Sequence, residues 1–182
     1  PSNADDAAGL LRFALRDNNP TIFFEHRSLL DSRSARRPYP GDEYVIPFGQ
    51  ANTLLKGDKL SVICWGAMVE RCEAAALELQ NGRQWQIEVI DLRTLQPWDS
   101  ETVLESVKKT GRCLIVHEDN LSAGFGAEIA AVLAKDAFFD LDAPIERVTM
   151  PNIPNPHNIH LMNEAVPSQA RIQNAMINLI EI

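Results

Sequence analysis

Three consecutive polar residues, His117, Glu118 and Asp119, follow directly on an apolar run that begins at Leu114. Such a run predicts a buried strand, so the three side chains should lie where that strand ends. At a strand end, an imidazole and a carboxylate could act as general base and general acid. The alternative is a loop whose charged groups hydrogen-bond locally or across an interface. We favour that alternative, because no partner nucleophile for the histidine is evident.

A Gly-x-Gly turn, formed by Gly124, Phe125 and Gly126, comes shortly after this polar triplet and precedes an alanine-rich helix. The pattern invites a dinucleotide-binding interpretation, but the full fingerprint needs a glycine or alanine where Ile129 stands. Phe125 would also crowd a pyrophosphate. Because glycines permit close approach of the backbone, helix packing or a subunit contact is the favoured interpretation of this turn.

Two further arrangements could carry chemistry, but their surroundings do not support it. Cys64 and His117 could form a nucleophile and its base on neighbouring strands, yet Cys64 lies inside a continuous apolar run. In such surroundings the pKa of a thiol rises and its reactivity falls. His157 and His160 could form a metal pair, but their segment is rich in proline and no third ligand is suitably spaced. We interpret them as a solvent-exposed or interface pair.

Composition and charge narrow the possible functions. The chain has 182 residues and a formal net charge of −8. This acidic balance argues against nucleic acid or an anionic membrane as a partner, and it would suit a basic protein. No apolar run is long enough to span a membrane. The three cysteines, Cys64, Cys72 and Cys113, lack the spacing of a metal site, so we expect reduced thiols and a cytoplasmic protein.

From residue 45 onwards, strand and helix patterns alternate. Residues 51–55 and 60–65 flank a turn sequence and are predicted to form a β-hairpin. The alternation that follows predicts a three-layer α/β fold with a mostly parallel five-stranded sheet and one antiparallel strand. The predicted helices are 67–81, ended by Gly82; 99–109, capped by Asp99; one that begins at 127; and one that is capped by Ser168. The later strands are predicted at 87–90, from 114 onwards, and at 145–149.

Two connections in this part of the chain carry predictions of their own. Asp91 and Arg93, just after the strand at 87–90, are predicted to form a local ion pair. Residues 150–160 are rich in proline and asparagine and are predicted to be irregular.

The first 44 residues do not follow this alternation. Residues 3–16 predict a short amphipathic helix capped by Asn3, and residues 21–25 predict a strand. Residues 31–44 contain three arginines and two prolines without apolar periodicity, as is typical of a linker. A helix and a single strand cannot form a core of their own, so we expect this part to be the tail of a preceding domain.

Five stretches carry a resemblance to a known family: NPTIFFEHRSLL, VIPFGQA, VIDLRTLQPWDSETVLESVKKTGR, VHEDNLSAGFGAEIAA and DAPIERVT. They resemble the carboxyl-terminal portion of the beta subunit of thiamine-dependent 2-oxo acid dehydrogenases, the decarboxylating components of the pyruvate, branched-chain 2-oxo acid and acetoin complexes. The resemblance covers nearly the whole chain and implies the transketolase carboxyl-terminal domain fold. It divides the chain into the tail of a preceding pyrimidine-binding domain (1–30), a linker (31–44) and the transketolase carboxyl-terminal-like domain (45–182).

In that family, thiamine diphosphate and magnesium lie between an alpha-type and a beta-type domain and are held by a Gly-Asp-Gly motif. Here Gly41-Asp42 and Gly57-Asp58 are not followed by a second glycine, so the motif is incomplete. The family's active-site histidine belongs to the preceding domain. The resemblance therefore implies that this chain has no catalytic, cofactor-binding or metal-binding residue, and that the cofactor is bound by the full-length assembly.

The resemblance also implies three protein partners: a second copy of the same domain, an alpha-type subunit or domain, and the lipoyl acyltransferase core, whose small binding domain is basic. For the contact with the second copy the candidates are Gly124, Phe125, Gly126 and Glu128, although the glycines could equally pack their own helix. Two alternatives stay open. One is the end domain of another thiamine enzyme, such as transketolase or deoxyxylulose phosphate synthase. The other is a free-standing small-molecule-binding domain that uses the loop at His117.

Overall fold

The computed structural model describes residues 1–182 as a five-stranded sheet between two layers of helices. The strands are β1 (Asn52–Leu55), β2 (Leu60–Cys64), β3 (Ile87–Asp91), β4 (Cys113–Asn120) and β5 (Glu146–Met150). The helices are α1 (Ala4–Ala14), α2 (Arg27–Leu30), α3 (Met68–Arg83), α4 (Ser100–Thr110), α5 (Phe125–Asp136), α6 (Ile159–Ala165) and α7 (Gln169–Ile180), with a 3₁₀ turn at Phe138–Asp140. None of the helices is both long and apolar enough to cross a membrane.

The order of the strands in the sheet is β1-β3-β2-β4-β5. The strands β2, β3, β4 and β5 pair in parallel, whereas β1 pairs with β3 in antiparallel orientation. The predicted fold class, a mostly parallel five-stranded sheet with one antiparallel strand, is therefore confirmed.

The predicted β-hairpin is wrong, because β3 lies between β1 and β2. The connection from β1 to β2 crosses the beginning of β3. There the backbone nitrogens of Asp58 and Lys59 both donate to the carbonyl oxygen of Gln86 at 3.1 Å. A Cβ atom at Gly57 would lie 2.4 Å from the same oxygen. The connection therefore packs against β3 instead of closing a tight turn.

Both faces of the sheet are covered by helices, and the central strands are mostly apolar on both sides, with Ser61 and Glu88 as buried polar exceptions inside them. Every residue of β2 and β3 is buried, as expected of parallel strands with helices on each face. On one face α3 and α7 pack against Val62 and Leu114, and on the other α4 and α5 pack against Ile63 and Ile115. Alternate residues of β2 and β4 thus belong to two separate cores.

Two predicted helix starts are confirmed by side-chain hydrogen bonds. Asp99 accepts from the backbone nitrogen of Thr102 at 3.1 Å, and Ser168 accepts from that of Arg171 at 3.2 Å. Each of these side chains satisfies a backbone donor that the helix itself leaves unpaired.

Two predictions about helix extent are wrong. α3 does not end at Gly82 but continues to Arg83, and it is Gln84 that adopts the left-handed conformation, with φ of 56°. The guanidinium of Arg83 stacks on Trp85, with 4.7 Å to the ring centroid, which favours the longer helix. The irregular stretch predicted for 150–160 covers only residues 151–158, because Asn158 accepts the first backbone N–H groups of α6.

The first 44 residues contain α1, as predicted, but no strand. Residues 21–25 form no regular secondary structure and pair with neither edge of the sheet, so the predicted strand is wrong for this structure. Ile22 and Phe24 are each 81% exposed, whereas Phe23 between them is half-buried. Residues 31–44 contain no helix or strand.

α1 is attached to the end of β3 by a buried polar network. The guanidinium of Arg93 donates to Asp6 on α1 at 2.7 Å, and the hydroxyl of Ser2 donates to Asp91 at 2.5 Å. The predicted ion pair between Asp91 and Arg93 is wrong. Asp91 accepts the backbone N–H of Arg93 instead, which leaves the guanidinium free to reach α1. Burial raises the pKa of Asp91 despite its two donors.

Removal of the charge of Asp6 should destabilise the fold strongly. The Asp6→Asn variant leaves the guanidinium of Arg93, whose side chain is only 15% exposed, without an anion. We expect the free energy of unfolding, measured by urea denaturation, to fall by about 3 to 5 kcal/mol, the usual effect of breaking a buried pair. The control Glu181→Gln breaks an exposed pair with Arg83 and should cost less than about 1 kcal/mol. Equal losses in the two variants would contradict this account of how α1 is attached.

Candidate functional site

Polar side chains collect where β2, β3 and β4 end, and we call this region (residues 64–67, 91–93 and 117–120) the carboxyl edge. The chain passes from β2 to β3 on one side, whereas β4 lies on the other side of β2. The crevice between the ends of β2 and β4 is therefore a topological switch point, where open α/β sheets usually bind ligands. A ligand-binding site would therefore be expected in this crevice.

His117 lies inside β4 and not in a loop. The strand continues to Asn120, which pairs with Met150 of β5, so the loop predicted to hold the polar triplet begins only after it. His117 is fully buried, Glu118 is half-buried and Asp119 is exposed. The strand extends this far because β5 offers a partner, and the local sequence does not reveal that pairing.

Two glycines and a tryptophan enclose the imidazole of His117. The ring stacks on Trp65, with ring centroids 5.1 Å apart and an interplanar angle of 9°. A Cβ atom at Gly126 would lie 2.4 Å from Nε2 of His117, and one at Gly124 would lie 2.7 Å from Cε1. Phe125 packs edge-on against the same tryptophan. The Gly-x-Gly turn therefore makes room for a buried histidine of its own chain.

The surroundings of His117 do not suit a general base. Burial lowers its pKa, and the carboxylate of Asp119 offsets this effect only in part, so the ring is neutral at neutral pH. Nδ1 accepts the backbone N–H of Asp119 at 3.2 Å, which assigns the ring proton to Nε2. Nε2 faces Gly126 and has no hydrogen-bond partner. Because its one lone pair already accepts a hydrogen bond, His117 cannot take a proton from a substrate in this arrangement.

Glu118 is paired with His26, which comes from the segment before the linker. Nε2 of His26 lies 2.5 Å from the carboxylate of Glu118, and the hydroxyl of Ser28 lies 2.9 Å from Nδ1. The hydrogen bond to Glu118 raises the pKa of His26 despite partial burial. The two residues are 92 positions apart in the chain, so no local pattern could have revealed the pair.

The cysteines predicted to be reduced thiols are all buried and free. The pKa of Cys64 is raised well above the usual value, first by a hydrogen bond with Cys72 and then by burial. Burial alone raises the pKa of Cys113 to about 12. A thiol in such surroundings stays protonated and unreactive at neutral pH, so Cys64 is not a nucleophile in this fold.

The predicted histidine pair does not belong to a metal site. His157 and His160 are both exposed, and nowhere in residues 1–182 do three His, Cys, Asp or Glu side chains group so that they could hold a metal ion.

The two Gly-Asp pairs do not form a cradle for a diphosphate. Gly57 is closed off by the carbonyl oxygen of Gln86, and the backbone of Asp58 donates to that oxygen. The carboxylate of Asp42 accepts a hydrogen bond from the hydroxyl of Tyr39 at the protein surface. These residues do not fit the diphosphate or the magnesium ion of thiamine diphosphate.

A free-standing small-molecule domain that uses the loop at His117 gains no support from the geometry. The imidazole is enclosed by Trp65 and the glycine turn, and the side chain of His26 lies against Glu118 at the same crevice. A shallow groove of about 310 Å³ lies elsewhere, between β5 and α7, and none of its lining residues belongs to the carboxyl edge.

Comparison with known families agrees with this fold. The family model described as transketolase, C-terminal domain, matches residues 49–172, more than half of the chain. The chain belongs to the transketolase C-terminal domain family. The matched residues include all five strands of the sheet.

Two curated relatives show how much of a longer protein this chain matches. It is 40% identical over 178 residues to the pyruvate dehydrogenase E1 component subunit beta of Rickettsia bellii. The aligned region covers 97% of this chain and 53% of the relative. It is 42% identical over 156 residues to the mitochondrial 2-oxoisovalerate dehydrogenase subunit beta 2 of Arabidopsis thaliana. This aligned region covers 86% of this chain and 43% of the relative. The chain thus spans about half the length of the curated relatives that it matches.

A solved structure of a split-gene transketolase, described as an inactive beta4 tetramer, has the same fold. It superimposes with a TM-score of 0.62 over 81% of this chain and 47% of that chain, at 20% sequence identity. At this identity the likeness concerns the fold alone.

The four residues predicted for a subunit contact differ in their exposure. Gly124 and Gly126 are buried against His117, whereas Phe125 is half-buried and Glu128 is exposed. The close approach that the two glycines permit is therefore to their own chain. A subunit contact through Phe125 and Glu128 stays a prediction.

The glycine turn gives a direct test of how the carboxyl edge is packed. In Gly126→Ala, the added methyl group meets the ring of His117, which stacking on Trp65 holds in place. We expect the free energy of unfolding in urea to fall by about 1 to 3 kcal/mol, as in other overpacked cores. Gly82→Ala is the matched control, because open space surrounds Gly82 within α3, and it should stabilise the fold by up to about 1 kcal/mol.

The His117→Ala background shows whether the imidazole is the obstacle. Without the ring, the destabilisation caused by Gly126→Ala should shrink by about 1 kcal/mol, because residues in contact show coupling of this size. An equal cost of Gly126→Ala in both backgrounds would mean that something other than the imidazole opposes the methyl group.

Proposed function

We propose that this chain is the carboxyl-terminal domain of the beta subunit of a 2-oxo acid dehydrogenase, acting on pyruvate or a branched-chain 2-oxo acid. Its role is to assemble the subunits and to dock the acyltransferase core, while neighbouring domains carry out the decarboxylation. The observation that carries the proposal is the 40 to 42% identity to two such beta subunits over 86 to 97% of this chain. The near-equal identities to a pyruvate and a 2-oxoisovalerate dehydrogenase subunit leave the choice between the two substrates to experiment.

The geometry of the carboxyl edge supports an assembly role. At this edge three charged side chains are already paired within the chain: Glu118 with His26, Asp91 with Ser2, and Arg93 with Asp6. A catalytic or cofactor site needs polar groups that are free to meet a ligand. Here those groups hold the first 30 residues against the sheet.

Residues 1–30 fit the tail of a preceding pyrimidine-binding domain, with 31–44 as the linker. Residues 21–25 pair with no strand, and Ile22 and Phe24 are exposed while Phe23 between them is half-buried. This is the pattern of a strand whose sheet lies in another domain. The Rickettsia subunit is matched over 97% of this chain, including this segment, and extends well beyond it.

The proposed assembly includes a second copy of this chain, an alpha-type subunit and the lipoyl acyltransferase core. Thiamine diphosphate and magnesium would bind between the alpha-type subunit and the preceding domain. A net charge of −8 supports docking to a basic domain of the acyltransferase. Three free, buried thiols support a reducing compartment such as the cytoplasm.

Isothermal titration calorimetry with thiamine diphosphate and Mg²⁺ tests where the cofactor belongs. This chain should give no saturable heat, with any Kd weaker than about 1 mM, because no side chain here fits the diphosphate. A bacterial pyruvate dehydrogenase E1 tetramer in the same buffer is the positive control. Stoichiometric binding in the micromolar range by this chain alone would overturn the proposal.

Substitution of the exposed apolar pair tests for a preceding domain. In this chain, Ile22→Asp combined with Phe24→Asp changes exposed side chains and should alter the free energy of unfolding by less than about 0.5 kcal/mol. In a gene product that includes the preceding domain, the same pair should cost about 3 kcal/mol or more, because both side chains would be buried there. Phe139→Asp is the matched control, since Phe139 is 97% exposed and lies outside this segment. If the longer protein with both substitutions is as stable as the unchanged longer protein, the proposed domain boundary is refuted.

A further inference from the structure

The pair formed by His26 and Glu118 joins two distant parts of the chain at the switch-point crevice. His26 immediately precedes α2, and Glu118 lies near the end of β4. Both side chains are partly exposed, at 32% and 28%, and their charged atoms are 2.5 Å apart. On its other side the imidazole contacts the hydroxyl of Ser28. The edge of the ring lies above Gly66, in the turn between β2 and α3.

We propose that this pair is a proton-operated latch that holds residues 26–30 over the carboxyl edge when His26 is protonated and loosens them when it is neutral. Protonated His26 donates a charge-assisted hydrogen bond to Glu118 and a second one to Ser28. Neutral His26 keeps a hydrogen bond to each partner but loses the ionic attraction, and charge-assisted bonds are about twice as strong as neutral ones. The latch stands on these contacts alone and does not depend on the proposed function.

The groups around His26 determine the pH at which the latch loosens. From β4, the carboxylate of Glu118 raises the pKa of His26, and from the start of the chain the amino group of Pro1 lowers it. The turn between β2 and α3 presents Trp65, Gly66 and Ala67, none of which titrates. The net effect is a raised pKa. The latch is therefore fully closed below the ordinary histidine pKa of about 6.5, and it loosens as the pH rises through the raised pKa of His26.

Other contacts confine the change to residues 26–30. Further along, the hydroxyl of Ser34 donates to Glu70 at 2.7 Å, and the carbonyl oxygen of Ala35 accepts the backbone N–H of Ala4 at 2.9 Å. Neither contact involves a histidine. Residues 31–44 thus stay attached while the segment before them loosens.

Amide hydrogen exchange of the 182-residue chain, followed by NMR, tests the latch directly. The reporter is the backbone N–H of Leu29, which donates to the carbonyl oxygen of His26, and the reference is that of Ala4. After correction for intrinsic rates, protection of Leu29 relative to Ala4 should fall about two- to fivefold between about pH 6 and pH 8.5, the range expected for a partly exposed ion pair. The Cε1 proton of His26 should titrate with a pKa above the ordinary histidine value of about 6.5.

Three variants separate the latch from a merely structural contact. Glu118→Gln should lower the pKa of His26 and remove the pH dependence, with Leu29 already loosened at about pH 6. His26→Lys keeps its positive charge up to about pH 10 and should retain protection throughout the range. His160→Gln, the control at an exposed histidine, should behave as the unchanged chain does. Protection of Leu29 that does not change with pH in the unchanged chain, or a His26 pKa that Glu118→Gln leaves in place, would overturn the proposal.

Discussion

Burial of the central strands on both faces is the constraint from which the rest of this structure follows. No residue of β2 or β3 reaches solvent, so helices must cover the sheet above and below. Most of the polar groups of these strands therefore lie near the strand ends. At the carboxyl edge, Asp91, Arg93 and Glu118 form hydrogen bonds or ion pairs with side chains of the first 30 residues of the chain. In this way the hydrophobic pattern of the sheet determines where the polar contacts of the domain must lie.

The carboxyl edge has the position at which related sheets bind ligands, but most of its polar side chains contact other groups of the same chain. Its crevice lies at a topological switch point, the position at which related architectures bind ligands. Here a buried neutral imidazole, its glycine cradle and an internal ion pair occupy that position. Similarity at the level of the fold therefore says little about catalysis, and the contacts of individual side chains decide the matter.

The sequence was most informative where structure depends on local pattern. The alternation of strands and helices from residue 45 predicts the sheet and its mixed orientation, and the caps Asp99 and Ser168 mark two helix starts. It was least informative where distant parts of the chain meet. The hairpin prediction failed because β3 enters between β1 and β2, which no turn sequence can reveal.

The candidate site illustrates the same difference. The polar triplet and the Gly-x-Gly turn were recognised as noteworthy, but their relation could not be read from spacing. Positions 124 and 126 need glycine because the imidazole of His117 packs against them. His117 lies seven to nine residues earlier in the chain, on a strand that is extended by its pairing with β5. The partner of Glu118 lies in a segment that the sequence assigned to a different domain.

The two histidines at this edge respond to acid in opposite ways. His26 has a raised pKa, so protonation favours the folded chain as the pH falls, whereas the lowered pKa of His117 makes the same protons favour the unfolded chain. Their contributions to global stability change in different pH ranges, that of His26 above its ordinary pKa of about 6.5 and that of His117 below it. As the pH falls, the latch therefore closes before protons begin to favour the unfolded chain through His117, so that the segment before residue 31 tightens while the rest of the domain keeps its stability.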